Sequence, residues 1–295
     1  MDPGLASAVL AGARGGDLRE VIPSTMGEPL LWAGIDGLIE ACAAGRFRLN
    51  LTTNGTWPGR GARSWGLRIS PVASDVKVSW NGASAATAEA IMAGLDFAAA
   101  LDGVRQFAAA RDEVAARTGT RCRLSFQVTA QAGNVDELGA LVALAGTLGV
   151  DRVKVNQLQP RVAMLAARAL PGSQAGRDRW NRAVNSMRSA AAEANRAGRA
   201  LELQNVAPLP PLGAPPEPAG PCPFVGREAW VLHDGRFAPC PHPAAWRGEL
   251  GDFGDVGSQP LSAIWSGEPL ARLADGYRDH PVCRTCALRR PGGAE

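Results

Sequence analysis

The chain has 295 residues, 31 basic against 28 acidic, with one Tyr, three His and six Cys. This length can bury a sizeable core as one large domain or two ordinary ones, while the near balance of charge excludes a dominant nucleic-acid or anionic-membrane surface. With no secretory signal pattern and no apolar stretch of membrane-spanning length, a cytoplasmic protein is expected, its cysteines serving metal binding or burial rather than disulfides.

In chain order, an Ala-rich helix is predicted over Leu5 to Arg14 and a strand over Arg19 to Pro23. The strand runs into Met26-Gly27-Glu28-Pro29, a Gly-acid-Pro sequence that reads as a ligand-facing turn. A helix follows over Ile35 to Ala44, a strand over Arg48 to Gly55, a helix around Gly61 to Ile69 and a strand over Asp75 to Trp80. One longer helical region is predicted over Ala85 to Arg117, then a strand over Arg123 to Ala130 and a helix with Asn134 as N-cap and Gly149 as its stop. A strand over Arg152 to Leu158, a helix over Ser173 to Ala197 and a short strand over Leu201 to Val206 complete the series. Regular β–α alternation points to parallel strands with helical crossovers.

Side chains alternate across a strand, so one face is readable. Asp75, Lys77 and Ser79 lie opposite Val76, Val78 and Trp80; Ser125, Gln127 and Thr129 lie opposite Leu124, Phe126 and Val128. A sheet buried on both faces would give continuous apolar runs instead. One face therefore packs on helices while the other lines something polar, as in a partial barrel with a wet lumen.

A Pro-rich segment, residues 208–221, reads as a semi-rigid linker between a first domain at 1–207 and a second at 222–295. The second holds Cys222, Cys240, Cys283 and Cys286, the last two as Cys-Arg-Thr-Cys. A hairpin is predicted over Trp230 to Phe237, turning at Asp234-Gly235, with a helix over Leu261 to Tyr277. Four cysteines on such a frame suit one tetrahedral zinc or one iron–sulfur cluster, and spacing alone leaves both open. Cys42, on an apolar helix face, and Cys122, beside a strand start, read as small buried hydrophobes. His242, although close to Cys240, is not needed as a ligand beside four thiolates, and Trp57 reads either as loop packing or as a residue at a substrate opening.

Together, MGEP (Met26 to Pro29), LTTNGT (Leu51 to Thr56), SWNG (Ser79 to Gly82), SFQVT (Ser125 to Thr129) and the four cysteines resemble the radical SAM enzymes with a C-terminal SPASM or twitch domain. The resemblance implies an α/β fold: a partial (β/α)6 TIM-like barrel missing its first strand, then a small Cys-rich twitch domain of hairpin plus helix. It implies S-adenosyl-L-methionine (SAM) gripped at Gly27, Glu28 and Pro29, with Ser79, Asn81 and Gln127 toward its carboxylate or ribose and Thr53 and Asn54 on the floor. It also implies one auxiliary [4Fe–4S] cluster on Cys222, Cys240, Cys283 and Cys286. Asp75 and Lys77 are candidates for positioning substrate or moving a proton, or else form an ion pair holding adjacent strands.

The activity implied is that of an oxidoreductase or a peptide- or small-molecule-modifying enzyme, served by an electron donor such as a flavodoxin or ferredoxin. The family's defining CxxxCxxC does not occur in this sequence. The expectation is therefore an N-terminally shortened chain, inactive in SAM cleavage as it stands. Two other readings are a non-catalytic iron–sulfur electron-transfer or substrate-binding partner and a structural zinc module.

Overall fold

The alternation along RLNLTT places Leu49, Leu51 and Thr53 on a buried face and Arg48, Asn50 and Thr52 on a half-buried one. That pattern repeats from strand to strand and decides how the sheet sits. The computed structural model describes residues 1–23, 27–160, 163–213 and 220–289. Met26 of the MGEP motif, Arg161 and the end of the second predicted domain thus lie outside the described residues.

The first elements are helix α1 (Pro3–Gly12), strand β1 (Glu20–Val21), helix α2 (Ile35–Gly45), strand β2 (Arg48–Thr53), helix α3 (Gly61–Ile69) and strand β3 (Ala73–Ser79). The single helix predicted from Ala85 is two, α4 (Ala85–Ile91) and α5 (Phe97–Thr118). The chain breaks at Gly94, whose φ is +79°, and Asp96 then caps α5 by accepting a 2.9 Å hydrogen bond from Ala99 N–H. Strand β4 (Arg123–Ala130), helix α6 (Leu138–Thr147), strand β5 (Arg152–Gln157), helix α7 (Gln174–Arg196) and strand β6 (Glu202–Gln204) follow. Asn134 makes no side-chain cap for the turn it precedes. It is 1 % exposed, and its amide joins the ends of two strands, as described below.

The C-terminal part contains β7 (Trp230–Val231), β8 (Phe237–Ala238) and the short helix α8 (Pro243–Trp246). The helix predicted over Leu261 to Tyr277 is again two, α9 (Leu261–Trp265) and α10 (Glu268–Gly276), because Gly267 takes extended backbone and Pro269 begins a new first turn. Helix α11 (Pro281–Arg284) carries Cys283.

Two compact units emerge: Arg19–Ile35 with Arg46–Gly213, and Met1–Leu18 with Asp36–Gly45 and Ala214–Glu295. This grouping is not contiguous in sequence. In the first unit, β1 to β6 form one sheet in sequential order, every pair parallel, with β1 and β6 at its edges. Leu49, Leu51, Val76, Val78, Leu124, Phe126, Val128 and Val153 are all 0 % exposed, so one sheet face is fully dry. At roughly 25 cal/mol per Å² of apolar surface, such a layer is the main term favouring the sheet. Helix α3 crosses α5 closely at Gly66, where a Cβ would lie 2.7 Å from that of Ala110. Trp57 is 5 % exposed and stacks on Phe107 of α5 at 4.8 Å, so its role is packing rather than a substrate opening.

The Pro-rich segment is not a free spacer where it is described. Trp180 and Asn181 of α7 donate to the carbonyls of Ala207 and Leu209, and Arg177 donates to those of Pro210 and Pro211. Prolines leave carbonyls without matching N–H groups, and α7 supplies the donors. Residues 214–219 lie outside the described residues. No helix among the described residues is long and apolar enough to cross a membrane.

Candidate functional site

The MGEP and TNG segments meet at the C-terminal ends of β1 and β2 through Glu28, Thr53 and Asn54. Gly27 has φ +81°, a conformation that favours glycine, and Pro29, buried, opens a short 3₁₀ turn. Glu28 closes the structure: its carboxylate accepts from Leu30 N–H (3.1 Å), Thr53 Oγ1 (2.8 Å) and Asn54 N–H (2.6 Å). Thr53 is 2 % exposed, while Asn54 is exposed and accepts from the backbone and hydroxyl of Thr56. The Glu28 carboxylate is thus engaged within the protein.

The ends of β3 and β4 are locked in a similar way. Asn81 Oδ1 accepts from Thr129 N–H (2.8 Å), and Asn134 Nδ2 donates to the carbonyls of Asn81 (2.9 Å) and Thr129 (3.0 Å). Glu137 accepts from Ala83 N–H, Ser84 Oγ and Thr87 Oγ1, the last at 2.6 Å. Burial works against the charged Glu137, yet these hydrogen bonds win and hold its carboxyl below the usual range. Gly82 is required here, since a Cβ would stand 2.5 Å from Ala88 N of α4. Ser79 and Gln127 face each other in register on β3 and β4, and neither side chain has a hydrogen-bond partner among the described residues. They are the predicted site residues left open to a ligand.

Deeper on the same face lies a charged network. Asp75, 4 % exposed, accepts from Ser125 Oγ at 2.7 Å and pairs closely with Arg152, itself 8 % exposed. Lys77 stands 3.9 Å from the same carboxylate and donates to Asn50, which in turn donates to Glu20 at 2.9 Å. Burial lowers the Lys77 pKa, Asp75 opposes the shift, and Lys154 and Arg152 add to it. The expected Asp75–Lys77 pair is thus the looser contact of a larger array in which Asp75 is already engaged by Arg152. Sequence reading passed over Arg152, whose only signal was its place on the polar face of β5.

In the C-terminal unit, Leu232 N–H donates to Arg236 O (2.9 Å) around the Asp234-Gly235 turn, and β7 pairs with β8 antiparallel. Phe237, Phe253, Ile264, Leu270 and Leu273 form the core beneath this hairpin. Cys222, Cys240, Cys283 and Cys286 line one cavity, walled by Phe224, Val225, Leu250 and Val282. Burial pushes the thiols of Cys240 and Cys283 up to about 11, and the other cysteines of the set push the same way. Among the described residues, no three His, Cys, Asp or Glu side chains stand close enough to hold a single metal ion. Four thiols around a shared apolar space fit the donor set of a thiolate-ligated iron–sulfur cluster, as they fit that of a structural zinc. His242 caps α8, its Nδ1 accepting from Ala244 N–H at 3.1 Å, and it also lines the cysteine cavity. Cys42 and Cys122 are both 0 % exposed, with burial raising their thiols to about 11 and about 12.

Residues 222–287 match the SPASM family, an iron–sulfur cluster-binding domain. No curated protein matches the chain. Among solved structures, Streptococcus suis SuiB bound to S-adenosylmethionine is similar, with a TM-score of 0.64 and 15 % identity over 98 % of this chain and 64 % of SuiB. SuiB bound to its precursor peptide SuiA gives a TM-score of 0.60 at 15 % identity, over 98 % of this chain and 63 % of SuiB. The enzyme anSMEcpe, with bound AdoMet and a Kp18Cys peptide, gives 0.60 at 13 % identity, over 92 % of this chain and 74 % of anSMEcpe. The chain thus spans less than two thirds of the length of SuiB. Residues 222–287 thus match the SPASM iron–sulfur cluster-binding domain, in a chain that shares its fold with SuiB and anSMEcpe.

Proposed function

We propose that the chain is a radical SAM-type oxidoreductase or peptide-modifying protein with one auxiliary [4Fe–4S] cluster held by Cys222, Cys240, Cys283 and Cys286. The observation that carries this reading is the convergence of those four thiols on one cavity inside the matched domain. Bound SAM supplies hydrogen-abstraction chemistry in such enzymes when a reduced cluster cleaves it. On this chain, the backbone of Gly27, Glu28 and Pro29 receives the SAM amine, while Glu28 keeps the turn in place through Thr53 and Asn54. Ser79 and Gln127, with open hydrogen-bonding groups, take its carboxylate or ribose, and Asn81 holds the two strands in register beneath them. Asp75 and Lys77 position the sheet through Arg152 and Asn50 and do not touch substrate. A peptide is the substrate class favoured, by analogy with the peptides bound to SuiB and anSMEcpe, and a flavodoxin or ferredoxin is the expected donor.

The 295-residue sequence contains no CxxxCxxC. That observation favours a second reading for the chain by itself, an iron–sulfur electron-transfer or substrate-binding partner that does not cleave SAM. Anaerobic reconstitution tests both: about four irons with matching sulfide per chain, and no 5′-deoxyadenosine on adding SAM and reductant, are expected. Deoxyadenosine formation overturns the inactivity, and stoichiometric zinc without iron uptake overturns the cluster.

A further inference from the structure

Arg289 is 8 % exposed and lines the cysteine cavity. Its Nε donates to Gly220 O at 2.9 Å and its Nη1 to the Cys283 carbonyl at 3.3 Å. The guanidinium carbon lies 5.6 Å from the centre of the Tyr277 ring, and the Tyr277 hydroxyl accepts from Cys222 N–H at 3.1 Å. Two carbonyls and an aromatic face orient this group, but none carries a full negative charge. Among the described residues, no carboxylate makes an ion pair with it. A guanidinium taken out of water without a counter-charge is strongly unfavourable. The anion that would compensate it is a cluster ligated by four thiolates, in the cavity that Arg289 already lines.

We propose that Arg289 is the fixed counter-charge of the SPASM cluster and holds its reduction potential above the value that four thiolates alone would set. The proposal rests on the cluster reading above. One electron from a low-potential donor enters the cluster without any bond forming or breaking, and the reduced form carries one more negative charge than the oxidised form. A buried cation beside it therefore stabilises the reduced form more, which raises the potential.

The test is an EPR-monitored redox titration of anaerobically reconstituted wild type, Arg289→Lys and Arg289→Gln, with dithionite as reductant and iron and sulfide counted in each sample. The Lys variant keeps the charge and is expected to keep the wild-type midpoint. In the Gln variant, the ratio of reduced to oxidised cluster at that midpoint falls about tenfold, or about 59 mV for a one-electron couple. A loaded Gln variant with an unchanged midpoint overturns the proposal. So do equal falls in both variants, which would assign Arg289 to holding carbonyls rather than to charge. If Gln fails to retain the cluster while Lys retains it at the wild-type midpoint, the counter-charge is supported; loss from both variants overturns it. Wild-type protein that takes up no iron or sulfide overturns the cluster reading itself, whereas a loaded cluster indifferent to Arg289 overturns this proposal alone.

Discussion

The Thr53 hydroxyl donates a 2.8 Å hydrogen bond to Glu28 Oε1, joining the Gly-Glu-Pro turn to the end of β2. Asn54 N–H adds a second bond, to Oε2 at 2.6 Å, so the acid of the motif holds the scaffold. Replacing Glu28 with Gln puts a donor where donors already point. We expect a loss of about 1–3 kcal/mol, the range for disrupting hydrogen bonds to a charged acceptor, seen as a lower urea midpoint. Unchanged stability combined with lost SAM binding would instead show that the carboxylate touches the ligand.

Asp75 and Arg152 are both buried and paired, at 4 % and 8 % exposure. Asp75→Asn leaves Arg152 without its partner and should cost about 3–5 kcal/mol, measured by urea denaturation. The double variant Asp75→Asn with Arg152→Met should recover much of that loss. A single variant within 1 kcal/mol of wild type, a threshold set by the ordinary scatter of surface changes, would contradict the structural role.

Glu137 yields a pH prediction. Its folded-state pKa lies below the ordinary value of 4.5, despite burial, because of the hydrogen bonds from Ser84, Thr87 and Ala83. A depressed carboxylate contributes stability that is fully present above the unfolded value and is lost as pH falls through the folded one. The stability gap between wild type and Glu137→Gln should therefore be constant above about pH 5 and narrow steadily below the ordinary value of 4.5. Denaturation midpoints of both proteins between neutral pH and acid check this, and a gap that widens on acidification would refute it.

Two glycines should respond in opposite directions. Gly82→Ala places a Cβ 2.5 Å from Ala88 N, against backbone that cannot swing away, and should destabilise by about 1–3 kcal/mol. Gly37 lies inside α2 with nothing within 4 Å of its Cβ position, so Gly37→Ala should stabilise by about 0.5–1 kcal/mol. Thermal melts of the two variants distinguish these signs.

The cysteines divide into two classes. Cys240→Ser should lower iron and sulfide per chain after reconstitution, because a thiolate of the shared cavity is removed. Cys42→Ala should leave both counts unchanged, since Cys42 is fully buried and serves as a small apolar side chain. Iron analysis of the two variants beside wild type is the measurement. Loss of iron from Cys42→Ala with retention in Cys240→Ser would reverse the assignment.

Much of the fold was legible because its signals are local. Strand β4 spans Arg123–Ala130, as its alternation of apolar and polar residues predicts, and α3 covers Gly61–Ile69. The two overlong helices were not legible, since a chain break at Gly94 or Gly267 competes with strong helix formers on both sides and tertiary packing decides the contest. Asn134 looked like a helix cap but bridges strand ends through its amide, a role that exists only once β3 and β4 lie side by side. The Gly-Glu-Pro and Thr-Asn-Gly segments were each recognisable, whereas the hydrogen bonds that join them were not.

By itself, the sequence determined which segments alternate, which face of each strand is polar, and which four cysteines stand apart from Cys42 and Cys122. These are properties of period and spacing along the chain. Only the tertiary structure decided which polar groups satisfy one another and which remain open. Asp75 meets Arg152 across 77 positions because β3, β4 and β5 lie in register, and that alignment gives the acid a partner that spacing along the chain does not show. Arg289 was one of 31 basic residues until folding buried it beside the cysteines. A charge becomes informative only when its solvent is taken away, and that depends on contacts no local pattern encodes.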